Sequence, residues 1–332
     1  MKRRKKPFII LAVILVVVLL VAGYIKFFNG SLIYFTTGMK SGELIKTAGQ
    51  KTTYTCEADI LMSDVKKEYE EMFGSNIWRE KIGDADFESY IKDQIKSKLM
   101  RVKAMNVKAK ERGVVLGREE KDSVGKAVDA FYNELTESQI SSTGITKDKL
   151  NTMFTEFAIA QKLYDDLTSS MDIEVSADEA RVIDIQYIVS DSEEDINKAY
   201  NLVNSGSSFF AVAKEYNADG KYEYELKRSE MDAAFEKAAF NLSTGEMSSI
   251  VEAAGRYYII RCTSDNDKAK TEVNKSAILE KRKLEQFNAD FEKYEAGIYM
   301  EFNNSEWKKL SIQDAYTLES SFEDTFNAYF GK

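Results

Sequence analysis

The stretch Phe235–Cys262, "FEKAAFNLSTGEMSSIVEAAGRYYIIRC", reads as the end of a helix, a turn, a short strand, a second turn and a final strand. Met231, Phe235, Ala238 and Ala239 recur at helical spacing, whereas "RYYIIRC" is aromatic and β-branched. Upstream, "VIDIQYIV" (182–189) is a strand. Two helices follow it. "SEEDINKAYNLVNSG" turns Ile196, Ala199, Tyr200 and Val203 inward, and "SSFFAVAKEYN" does so with Phe209, Val212, Ala213 and Tyr216. Residues 180–264 therefore form one α+β unit, about 85 residues long, an ordinary size for a small domain.

The flanks have another period. Helices are expected through 63–170. Ser63 caps a short helix carrying Tyr69, Met72 and Phe73. Phe87, Ile91, Ile95, Leu99, Val102 and Ala109 mark a long one that Gly113 ends. "REEKDSVGKAVDAFYNEL" is another, Thr136 and Gln139 make a capping box, and Leu150, Phe154, Phe157, Ala160 and Tyr164 mark the next. After the unit, 269–296 is helical, with Leu284, Phe287, Phe291, Tyr294 and Ile298 on one stripe. An aromatic tail with Phe322, Phe326, Tyr329 and Phe330 closes the chain. Two segments alternate like strands, 54–60 ("YTCEADI") and 298–302 ("IYMEF"). A lone strand leaves its backbone groups unpaired. We expect these two to pair, so that both chain ends build one helical module with the α+β unit inserted.

Composition narrows the chemistry. The 332 residues carry a formal charge of −9 and include no histidine. That excludes Ser-His-Asp and Cys-His nucleophiles, an HExxH zinc site and a histidine base. The acidic run "SDSEED" (190–195) lacks metal-ligand spacing and reads as a helix N-terminus. Lys2, Arg3, Arg4, Lys5 and Lys6 precede "FIILAVILVVVLLVAGYI" (8–25). Roughly 18 apolar residues span about 27 Å, enough to cross the hydrocarbon core, with the positive end cytoplasmic. A cleaved signal peptide is the competing reading. Without those positives and Lys26 the remainder is more acidic still, which disfavours nucleic acid as a partner. Cys56 and Cys262 read as two small buried residues rather than a disulfide pair.

Residues Ala180 to Thr263 resemble the parvulin family of peptidyl-prolyl isomerases. Four marks occur in order: "GSSFFAVAKEYN" (206–217), "RSEMDAAFEKAAF" (228–240), "LSTGEMS" (242–248) and "YYIIR" (257–261). The whole chain resembles PrsA/SurA-type foldases. The resemblance implies an anchor over 1–26, a tether over 27–50, a helical chaperone module begun by 51–175 and completed by 267–332, and a parvulin-like domain over 176–266 with a small antiparallel sheet. It implies catalytic roles for Tyr187, Asp219 and Tyr258, and a proline-binding wall of Met231, Phe235 and Phe240. Tyr187 and Tyr258 stand where parvulins usually place histidine, the second after a one-residue shift at Gly255–Arg256. In "GKYEYEL" (220–226) Glu223 takes the position of an apolar leucine of the cup.

Prolyl isomerisation demands little machinery. The barrier is ~18–20 kcal/mol and is lowered by an apolar cup and a site that favours the twisted amide. It needs no metal, cofactor or covalent intermediate. Two tyrosines can offer donors and acceptors where a histidine pair would. The expected function is that of a membrane-tethered extracytoplasmic foldase. Its partners would be unfolded exported polypeptides, and its isomerase activity weak. A holdase with an inactive parvulin fold and an envelope scaffold binding one folded partner stay open as alternatives.

Overall fold

The computed structural model describes residues 38–218, 220–319 and 321–331. The anchor expected over 1–26 and most of the tether lie outside them. Among the described residues no helix is long and apolar enough to cross a membrane. The chain divides into two compact units. One comprises residues up to Met171 together with Glu285–Lys332, the other Asp172–Leu284.

The first unit is mainly helical. Its strands are β1 (Glu43–Thr47), β2 (Thr53–Tyr54), β3 (Lys81–Ile82) and β4 (Ala85–Asp86), and its first helices are α1 (Thr55–Phe73), α2 (Phe87–Arg112), α3 (Arg118–Asn133), α4 (Glu137–Thr143) and α5 (Lys147–Thr168). Asp86 caps α2 by accepting from the Ser89 N–H at 2.7 Å, and Gly113 ends it in the left-handed region at φ 73°. The core joins Ile60, Ile91, Leu99, Phe131, Phe154 and Phe302 with the C-terminal Phe322.

Three expectations fail here. Residues 54–60 are not a strand: only Thr53–Tyr54 is extended, and α1 begins at Thr55. Cys56, Ala58 and Ile60 are buried as an alternating strand would have them, but so are Glu57, Leu61 and Met62. Alternation over the seven residues 54–60 does not separate a half-buried strand from a helix buried on most sides. Ser63 accordingly lies mid-helix and buried, not at a cap. Nor do 54–60 and 298–302 pair directly. Strand β1, within the presumed tether, sits between β2 and the strand Met300–Phe302, antiparallel to both.

The second unit contains α6 (Ala177–Ala180), β5 (Ile183–Ser190), α7 (Glu193–Asn204), α8 (Phe209–Tyr216), β6 (Glu223–Leu226), α9 (Ala233–Phe240), β7 (Val251–Ala253) and β8 (Arg256–Ser264). The chain continues as α10 (Lys268–Glu295), within which the boundary between units falls, then β9 (Met300–Phe302), α11 (Asn304–Trp307) and α12 (Phe322–Phe330). The sheet of the second unit is antiparallel in the order β6-β5-β8-β7. Strand alternation divides its side chains between two layers. Ile188 and Ile259 meet Ile196, Ala199, Phe209 and Val212 of α7 and α8. Ile183, Ile185, Val189, Leu226, Tyr258 and Ile260 meet Phe235, Ala239 and Phe240 of α9.

Cys56 and Cys262 are both free and buried. Burial pushes the Cys56 thiol up to about 12.

Candidate functional site

On the α9 side of this sheet is a cavity of about 300 Å³, lined by Tyr187, Val189, Ala218, Tyr224, Met231, Phe235, Arg256 and Tyr258. That is the small end of the roughly 300–1,000 Å³ usual for ligand sites, and suits one or two amino-acid residues.

Strand register explains the lining. Tyr187 pairs with Ile260 and Val189 with Tyr258, so Tyr187, Val189 and Tyr258 share one face. Ile185 pairs with Tyr224, which puts Tyr224 on that face as well. The turn between β7 and β8 has positive φ at Ala254 (51°) and Gly255 (74°), the pattern of a two-residue hairpin. It returns the chain with Arg256 opposite Ala253 and two residues before Tyr258, again on the cavity face.

The wall comes from the segment leading into α9. Asp232 caps the helix by accepting from the Ala234 N–H at 2.8 Å. Glu236 reaches back and accepts from the Glu230 and Met231 N–H groups at 2.8 and 2.9 Å. These bonds fix the backbone that presents Met231, whose side chain stays 38% exposed at the rim. Phe235 is buried and meets Tyr258 edge to face, ring centroids 5.0 Å apart.

The "LSTGEMS" turn braces the floor from behind. The Gly245 N–H donates to Cys262 O at 2.8 Å, and the Ser248 N–H to Ile260 O at 2.8 Å. The Ser248 hydroxyl accepts from the Ile260 N–H at 2.9 Å. Gly245 has φ 91°, where a side chain would be strained. Asn217, 4% exposed, ties the other edge: its Oδ1 accepts from the Val189 N–H at 2.9 Å, and its Nδ2 donates to Tyr187 O at 3.0 Å and Lys221 O at 2.6 Å.

Two polar groups tune the cavity. Arg256 donates from Nε to the Asp191 carboxylate and lies beside the Tyr258 side chain in the cavity lining. The Asp191 bond first, then the Tyr258 contact, hold the guanidinium above its ordinary pKa. Tyr224 is likewise raised, by burial and by the nearby carboxylate of Glu230.

Of the six residues singled out from sequence, Tyr187, Met231, Phe235 and Tyr258 line this cavity. Asp219 lies outside the described residues. Phe240 is placed elsewhere. It is buried in the core, with the Arg228 guanidinium 3.9 Å and that of Arg181 5.1 Å from its ring centroid. Glu223 is not at the rim either. It pairs with Gln186 on the opposite face, accepts from Gln186 Nε2 at 3.1 Å, and leaves the cup to Tyr224. Sequence reasoning missed Tyr224, Arg256 and Asn217. The alternation Tyr222, Tyr224, Leu226 against Glu223 and Glu225 was the available signal for the first. Among the described residues no three His, Cys, Asp or Glu side chains are grouped as a metal site would require.

Residues 189–264 match the Rotamase family, the PPIC-type PPIASE domain. The chain is 24% identical over 240 residues to the foldase protein PrsA of Caldanaerobacter subterraneus subsp. tengcongensis, covering 67% of this chain and 73% of that protein. It is 37% identical over 89 residues to the foldase protein PrsA of Bacillus subtilis, covering 24% of this chain and 30% of that one. Among solved structures it is similar to the peptidylprolyl isomerase PrsA from Bacillus cereus, with 18% identity, a TM-score of 0.37, and coverage of 87% of this chain and 99% of that one. The chain thus carries a PPIC-type domain and resembles the PrsA-type foldases in sequence.

Proposed function

We propose that the chain is a foldase of exported proteins, anchored by the apolar segment 8–25 with its bulk outside the cytoplasm, and that the cavity of the second unit isomerises X-Pro bonds weakly. One observation carries the reading. Tyr187, Met231, Phe235 and Tyr258 converge on a cavity of about 300 Å³ in the unit whose residues 189–264 match the PPIC-type domain. Met231 and Phe235 supply the apolar wall for a proline ring. The hydroxyls of Tyr187, Tyr224 and Tyr258 supply polar groups around the prolyl amide. Nothing acts as a nucleophile, and the rate gain comes from holding the twisted amide better than either planar form. The first unit serves as the chaperone module. Phe73 (62% exposed) lies against Tyr69, which packs on Trp78 and Phe87, and the adjacent Met72 is 50% exposed, an apolar surface fit for an unfolded client.

A second reading keeps the chaperone role and removes the chemistry. Tyr258 is only 8% exposed and packs on Phe235 as a core aromatic does. Prolyl isomerisation of tetrapeptides, measured beside suppression of aggregation of an unfolded protein, separates the two. Turnover abolished by Phe235→Ala supports the isomerase. Aggregation suppressed without any turnover leaves the holdase. External protease on intact cells tests the topology: a protected bulk of the chain would overturn it.

A further inference from the structure

We propose that Arg256 is a specificity-determining residue that selects X-Pro segments whose residue directly before the proline is acidic. The proposal rests on the isomerase reading of the cavity.

Among the described residues, Arg256 is the one side chain lining the cavity that carries a formal charge. It follows the positive-φ pair Ala254 and Gly255 at the start of β8. It is two residues from Tyr258 on the same strand and face, roughly 7 Å along β8. With the proline ring against Phe235, which touches Tyr258, the nearest free side chain of a substrate is that of the preceding residue. Its carbonyl belongs to the isomerising bond. A carboxylate there is within reach of Arg256.

The present partner of Arg256 does not exclude this. The Asp191 side chain is 80% exposed and that of Arg256 43%. An ion pair so exposed is weakly held, and a second carboxylate can share or replace it. The guanidinium can serve two acceptors at once. Glu230, the carboxylate near the Tyr224 hydroxyl, opposes an incoming acid, so the preference is moderate.

The test uses the full chain and four-residue peptides that differ only before the proline: Glu, Ala or Lys. Isomerisation is measured as kcat/KM, and binding of the same peptides, fluorescently labelled, by anisotropy. The expected order is Glu, Ala, Lys, with about a tenfold span between the ends, shrinking as salt is added. Arg256→Gln collapses the span, Arg256→Glu inverts it, and Asp191→Asn widens it by freeing the guanidinium. The binding arm separates this proposal from the isomerase reading. If no peptide turns over but Glu-Pro still binds tighter than Lys-Pro through Arg256, the selectivity stands and the chemistry falls. Equal rates and affinities across the series, an order that survives Arg256→Gln, or no binding of any peptide overturns the proposal.

Discussion

Lys103 lies 1% exposed among helices, its Nζ donating to Glu156 Oε1 at 2.6 Å and to Lys51 O at 2.7 Å. Glu57, also buried, feels both charges. Burial pushes its carboxyl up to about 8, the attraction of Lys103 offsetting this only in part. Near neutral pH Glu57 therefore holds its proton, and the buried Lys103–Glu156 salt bridge is the charged contact of the group. Removing only the lysine leaves the Glu156 carboxyl without its partner in a dry site. Lys103→Met should cost ~3–5 kcal/mol, read by urea melts of the first unit, and Lys103→Met with Glu156→Met should recover most of it. If the single variant is as stable as the parent, the buried pair is not holding the helices. In the second unit, Phe235→Ala should end isomerisation and cost ~3–5 kcal/mol, since it opens a void under Tyr258. Tyr258→Phe keeps that packing and deletes the hydroxyl beside Arg256. It should lower turnover with little change in stability. Equal turnover would make Tyr258 a packing residue only.

Among elements, the helices of the second unit and its strands other than β6 could be read from sequence because each carried its own period and its own end signal. The four cavity residues found that way sit on elements with clear periodicity or beside them. The misreadings share a cause: short segments whose burial is decided by distant neighbours. Strand β1 spans five residues and exists through β2 and β9, the latter more than 250 positions on. Thr55–Ile60 alternates over too few residues to exclude a helix, and β6 was obscured by comparison with a pattern it does not follow. Arg256 and Asn217 carried no local signal, since their roles arise from pairing. Asn217 is the clearest element-level test. Its amide meets two carbonyls and one N–H at the edge where β5 loses its β6 partner. Asn217→Ala should cost ~1–3 kcal/mol, because the Val189 N–H is left buried without an acceptor. It should also loosen the backbone beneath Tyr187 and so lower turnover. Unchanged amide-exchange protection at Val189 would refute the clamp.

At the scale of the whole molecule, the C-terminal segment completes the first unit. Residues 310–319 hold little regular structure, yet α1 and α2 pin this stretch and the start of α12. Lys66 donates to Gln313 O and Ala315 O at 2.6 and 2.9 Å, and Glu88 accepts from the Ile312 N–H at 2.6 Å. Asp64 accepts from the Phe322 and Glu323 N–H groups at 3.0 and 3.2 Å. Deleting residues 310–332 should abolish the cooperative melt of the first unit, as Phe131, Phe154 and Phe157 lose Phe322. The same seam sets a pH dependence. The chain has no histidine, so side-chain titration between pH 5 and 8 falls to displaced carboxylates. Burial raises Asp59 to about 6, Asp64 to about 7 and Glu57 to about 8. A raised carboxylate keeps its proton in the folded state after the unfolded chain has lost it. Its stabilising contribution is full below about pH 4 and is lost as pH rises through the folded value. The lowered carboxylates, such as Asp86 and Glu120, are ionised in both states above pH 5 and leave this window flat. The melting temperature of the first unit should therefore fall steadily from pH 5 to pH 8. Asp64→Asn should flatten the fall most between 5 and 7, because the amide oxygen still accepts from α12 but no longer titrates. A melting temperature that rises over this interval, or an Asp64→Asn profile parallel to the parent's, would show that the buried carboxylates do not govern the seam.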